Sequence, residues 1–164
     1  MKDTSCLIGA VEQAWADVPA PHLVDLRLTG WNWTQEEADA FIDVAPMAVD
    51  INSVGFLAAT PLLDLPAQAA AAYLGTFLRA LMVSLHEQKV VGFFEDPLTR
   101  AHVVTCLKDR RFWDEVIKPH VSGQRLEVLL EVIDYMVRER EDLGLDAEDV
   151  KSLQARVAES GGGC

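Results

Sequence analysis

Apolar residues recur along this chain at intervals of three and four, the spacing of one face of an α-helix. Leu7, Ile8, Val11, Ala14 and Trp15 make the first such stripe. Asp3 or Thr4 can open it, because a short side-chain oxygen accepts an amide of the first turn. Pro19 and Pro21 end it, since a residue before proline is pushed out of the helical region. The longest stripe is Leu65, Ala69, Tyr73, Phe77, Leu81 and Leu85, widened by Leu74, Leu78 and Met82. It predicts the most apolar helix and the centre of the domain, opened by Asp64 with Pro66 in its first turn. Leu98, Ala101, Val104 (or Val103) and Leu107 predict the buried side of a helix begun by Asp96 and Pro97. Phe112, Trp113, Val116 and Ile117 make a short helical patch that Pro119 ends. Leu126, Leu129, Leu130, Ile133, Met136 and Val137 predict a helix capped by Ser122. After Gly144, Asp146 caps a last helix carrying Val150, Leu153 and Val157.

Two segments read differently. Thr34-Gln35-Glu36-Glu37 is a capping box, in which the Thr34 hydroxyl and the Glu37 carboxylate each accept the other residue's amide. The helix it starts turns Ala38, Phe41 and Ile42 inward, with Trp31 or Trp33 as a hydrophobic staple ahead of it. Val24, Leu26 and Leu28 alternate with Asp25 and Arg27, a period of two. That allows one short extended segment near residues 23–28, and a lone strand makes no sheet. No internal repeat or interior linker is visible. The expected architecture is all-α, a single-domain bundle of about six to seven helices over residues 1–159. A flexible Gly-rich tail follows at 160–164, ending in Cys164.

Composition narrows the function classes. Of 164 residues, 26 are Asp or Glu and 14 are Lys or Arg, a net charge of −12. That repels nucleic acid and anionic membranes, so neither is an expected partner. Within the apolar stretch Leu65 to Leu85, the longest run without a charge is Leu65 to Leu78. It is shorter than the roughly 20 residues a membrane span needs. No apolar core follows a basic start, so no secretory signal is expected. Three cysteines, without a paired Cys-x-x-Cys, exclude a disulfide framework and a standard zinc finger. Free thiols suit a cytoplasmic, reducing compartment.

Candidate chemistry is sparse. No phosphate-binding glycine loop, nucleophile elbow or paired metal-ligand helix motif is present, and no cofactor is expected. His102 and Cys106 stand four apart on one helix face, half of a zinc site that His86, His120 or Asp96 would complete by folding. The same two could act as base and nucleophile. Cys106 lies at the wrong end of the helix dipole for this, an effect that Lys108, Arg110 and Arg111 could offset. The plainer reading is a core Cys106 beside a surface His102.

The distribution of charge is more distinctive. Between Arg27 and Arg79 there is no Lys or Arg, while Glu36, Glu37, Asp39, Asp43, Asp50 and Asp64 all fall there. Trp31, Trp33, Phe41 and Phe56 share the window. Acids that steer an encounter, beside aromatic anchors, suit capture of a basic protein. Trp31, Trp33, Glu36, Glu37, Asp39 and Asp43 are the candidate partner-binding residues. The expected function is a non-catalytic protein-binding module, in its sharpest form an immunity protein that neutralises a basic toxin. A metal-dependent or Cys/His enzyme at His102 and Cys106 is one alternative. A homo-oligomeric scaffold, burying Phe93-Phe94 and Phe112-Trp113 against a second copy, is another.

The central run Tyr73-Leu74-Gly75-Thr76-Phe77-Leu78-Arg79-Ala80-Leu81 resembles the Tyr-Leu-Pro-Ala-Tyr-Leu helix of a widespread bacterial family of unknown function. In that family a Ser-x-x-Gln helix start follows. Ser122-Gly123-Gln124-Arg125 departs from it by one position, and Gly75 stands in place of the proline. The resemblance covers about residues 40–138 and implies a bacterial origin and a small helical domain. It carries over no functional residue.

Overall fold

In the computed structural model, which describes residues 2–21, 34–91 and 97–161, the 25-residue helix α4 (Ala67–Val91) is the axis on which the other helices are assembled. The rest, in chain order, are α1 (Thr4–Ala14), α2 (Gln35–Phe41), α3 (Val54–Ala58), α5 (Pro97–Lys108), α6 (110–120), α7 (Gln124–Arg138) and α8 (Ala147–Gly161). A single 3-10 turn, Pro46–Ala48, lies between α2 and α3. The fold is all-α, and no strand occurs among the described residues. The extended segment expected near residues 23–28 lies outside them, as do Trp31, Trp33, Phe93, Phe94, Asp96 and Cys164.

All nine residues of the α4 stripe, Leu65 and Tyr73 through Leu85 included, are buried. By length and composition alone α4 is long and apolar enough to cross a membrane, even with Arg79, Glu87 and Lys89 in it. Instead, 78% of its most apolar window is buried within the protein. Helices α1, α5 and the middle of α6 pack on it, while α7 packs outside on α1 and α8 on α5 and α7. Trp15, at the end of α1, seats its indole over Gly75, where a Cβ would fall 2.3 Å from the ring. The indole N–H donates to the Ala71 carbonyl at 3.2 Å. Only glycine at 75 lets α1 approach this closely. Arg125 of α7 ties down the same end of α1, donating to the Ala14 carbonyl at 3.1 Å and to Asp17 at 3.0 Å.

Three helix starts follow the local chemistry of their sequences. Asp3 accepts the Cys6 amide at 2.8 Å, Thr34 and Glu37 form the capping box, and Asp146 accepts the Asp149 amide at 2.8 Å. Three other expected boundaries are corrected. Both the Asp64 and Leu65 amides bond the Pro61 carbonyl, closing a turn. Helix α4 therefore starts after Pro66, whose carbonyl takes the Ala70 amide. Gly123, at φ 55°, caps α7 in place of Ser122. A left-handed residue there turns the chain back from α6, and glycine adopts it without strain. Pro119 does not end α6, which continues to His120 through a π turn at Trp113–Ile117. In a regular helix the proline ring would strike the carbonyl four residues earlier, and the wider turn relieves that clash. The last helix includes Ser160 and Gly161, two residues into the expected tail, with the Ser160 hydroxyl donating to the Val157 carbonyl at 2.7 Å.

The buried side of α5 matches the expected one at Val103, Val104 and Leu107 but differs in its first turns, where Leu98 and Ala101 are exposed and Thr99 and His102 are buried, with Cys106 buried further along. Phe112 and Trp113 lie in the core at 3% and 1% exposure, so they form no outer face for a second copy.

Candidate functional site

Residues 34–66 of the cation-free stretch fold into α2, α3 and the turns around them. Phe41 and Phe56 are fully buried and form one aromatic cluster with Tyr73 and Phe77, at centroid distances of 4.9 to 6.1 Å. They belong to the core and offer no surface anchor. The turns are held by a ladder of α4 side chains. The Tyr73 hydroxyl donates to the carbonyls of Phe41 at 2.8 Å and Val44 at 3.3 Å. The Thr76 hydroxyl donates to Pro46 at 2.7 Å. Arg79 donates through Nη1 to Met47 at 3.1 Å and through Nη2 to Val49 at 2.7 Å. Burial, and then the charge of Asp43, push the Tyr73 phenol well above its ordinary pKa, so it stays a donor.

Ser53 caps α3 by accepting the Phe56 amide at 3.2 Å. Gly55 then brings α3 onto the backbone of α2, where a Cβ would sit 1.9 Å from the Glu36 carbonyl oxygen. The contact leaves a cleft of about 390 Å³ between the two helices, rimmed by Glu36, Asp39 and Asp50 and walled by Ala40, Val44 and Val54. Val54 is 75% exposed at its edge. No ion pair among the described residues uses Glu36, Asp39, Asp43, Asp50 or Asp64. Arg79, which ends the cation-free window, spends its guanidinium on backbone carbonyls and reaches only Glu12 of α1, at 4.0 Å.

Of the candidate partner-binding residues, Glu36 and Asp39 come together on this rim. Gln35 donates to Asp39 at 2.7 Å and fixes its carboxylate. Asp43 is exposed just past α2, at φ 55°, and does not line the cleft. Glu37 is turned away. It is 6% exposed, and its carboxylate accepts the Thr34 amide at 2.9 Å, so the capping box consumes it. Asp50 joins the rim without having been singled out. Its only signal in the sequence is membership of the same cation-free window.

His102 and Cys106 are both buried. His102, at 6% exposure, accepts the Leu62 amide through Nε2 at 3.1 Å and meets the Phe77 ring edge-on at 5.3 Å. The expected surface position for this histidine is therefore wrong: a tertiary hydrogen bond from Leu62 makes its burial affordable. Burial lowers its pKa to about 4. Cys106 lies with its sulfur 3.9 Å from Nδ1. Burial, then Asp109 and Asp64, raise the thiol to about 12, so it remains protonated. A neutral thiol beside a weakly basic imidazole is the opposite of an activated nucleophile. The cations expected to help are engaged elsewhere, Lys108 with Asp149, Arg110 with Asp114 and Arg111 with Glu115. His86 pairs with the Thr4 hydroxyl at 2.9 Å, and His120 is exposed at the end of α6. Among the described residues, no three His, Cys, Asp or Glu side chains converge to hold a metal. No family model, curated protein or solved structure matches the chain, so a functional reading rests on these residues alone.

Proposed function

We propose that the protein is a non-catalytic cytoplasmic binding module that captures a basic protein through the α2–α3 cleft. The observation that carries this reading is the charge of Glu36, Asp39 and Asp50, paired with no cation among the described residues, around an apolar cleft with Val54 exposed at its edge. Carboxylates without internal cations keep their field directed outward, which accelerates encounter with a positive surface. Apolar walls take the aliphatic stems of lysine or arginine while the rim meets their charged heads. The ladder from α4 supports the reading, because a face held in one shape costs less to order on binding. In its sharpest form the module is an immunity protein neutralising a basic toxin. Small size and strong acidity suit that role, and a bacterial source comes from the resemblance of α4.

The test is paired capture from a bacterial lysate with the wild type and with the combined variant Glu36→Lys, Asp39→Lys, Asp50→Lys. A basic protein retained by the wild type at low salt, weakened at high salt and lost with the variant supports the reading. The variant's helical circular dichroism checks that it is folded. The same proteins retained equally by both would sink the assignment of this face.

A further inference from the structure

We propose that a second, separate cavity beside Trp15 binds a compact apolar molecule carrying one carboxylate. The cavity encloses about 590 Å³, within the range of small-molecule sites. It lies away from α2 and α3. One wall is the segment after α1 with Pro19 and Pro21, another is the first turn of α4 with Ala69 and Ala72, and the third is the junction of α6 and α7. Trp15 forms the floor and is immobilised by its contact with Gly75 and its bond to Ala71. These surfaces suit an apolar body.

The polar lining consists of Asp17, Gln68, His120 and Arg125. Arg125 lines the cavity and is held by two acceptors, Ala14 through Nε and Asp17 through Nη2, and neither bond uses Nη1. A guanidinium already fixed in place loses little freedom when it takes a carboxylate, and the pairing is charge-assisted. His120 also lines the cavity and can supply a further donor. The first turn of α4 opens on the same space and adds positive dipole potential to the arginine. The Asp17 side chain is 82% exposed, so water screens its opposing charge. The net charge of −12 does not bar a small anion, because at physiological salt the field of distant charges decays over about 8 Å. An anionic head on an apolar body is the ligand chemistry that meets both halves of this lining.

Calorimetric titration with naphthoate, against the uncharged naphthamide of the same shape, tests this directly. The wild type is expected to bind naphthoate at one saturable site, and naphthamide at least about tenfold more weakly, as befits a charge-assisted pairing. Arg125→Met should bring naphthoate down to the naphthamide level, and Arg125→Lys should restore part of the difference. Ala72→Phe, which fills the cavity, should abolish both. Absence of saturable naphthoate binding to the wild type would overturn the proposal. So would equal binding of the two ligands, or naphthoate affinity unchanged in Arg125→Met. The arginine variants keep the test decisive if Ala72→Phe fails to fold.

Discussion

His102 accepts the backbone amide of Leu62 through Nε2, at 3.1 Å, in the interior between α5 and the turn before α4. An imidazole accepting through Nε2 holds its one proton on Nδ1. A second proton would have to displace the Leu62 amide, and burial also disfavours the charge. The folded pKa of about 4 lies below the ordinary 6.5. Above pH 6.5 the group is neutral folded or unfolded, and its contribution to stability is complete. As pH falls from 6.5 to about 4 the unfolded chain takes up a proton that the folded chain refuses, so stability drops. The full loss is roughly 3 kcal/mol. Urea unfolding across that range should show it as a falling midpoint. His102→Gln should lack this part of the slope, and an identical pH profile for the variant would refute the assignment.

The glycines make predictions of opposite sign. Gly75→Ala drives a methyl into the Trp15 ring, and Gly55→Ala drives one into the Glu36 carbonyl. Each should cost about 1–3 kcal/mol, the usual penalty of overpacking. Gly9 is exposed on α1, and a Cβ there meets nothing within 4 Å. Gly9→Ala should therefore stabilise the fold by about 0.5–1 kcal/mol. Thermal unfolding of the three variants reads the signs directly, at about 2–4 °C per kcal/mol for a chain of this size.

Asp43 carries the one positive φ among the described residues other than glycine. Asp43→Gly relieves the left-handed strain, whereas Asp43→Ala retains it and loses the local polar side chain. The glycine variant should be the more stable by about 1 kcal/mol. Because Asp43 does not line the α2–α3 cleft, neither change should affect partner capture if that cleft is the binding face. Chemical denaturation and the capture assay measure the two effects separately.

The capping chemistry was legible in the sequence because it is local. Asp3, Thr34 with Glu37, and Asp146 each act on an amide three residues away. The α4 stripe was legible because its period is long and unbroken. The first turns of α5 were not, since Thr99 and His102 are polar and Leu98 is large and apolar. Periodicity scores side chains one at a time and cannot foresee that Leu62, 40 residues earlier, will supply a hydrogen bond to His102. The candidate site was half legible. The cation-free window marked the right region, and Glu36 and Asp39 meet there. The loss of Glu37 follows from the capping box that the sequence already displays, whereas the arrival of Asp50 depends on how α3 settles against α2 through Gly55.

The seating of α1 has a consequence for the order in which the chain matures. Lys2 bonds Glu131 across 129 residues, and Arg125 reaches back 111 residues to Ala14. During synthesis, Leu7, Val11 and Trp15 therefore remain without part of their cover until α7 has emerged. Contacts this distant in sequence slow folding and leave apolar surface open to wrong associations meanwhile. Truncation within α7 should thus produce a chain prone to aggregate, even though every residue of α1 and α4 is still present.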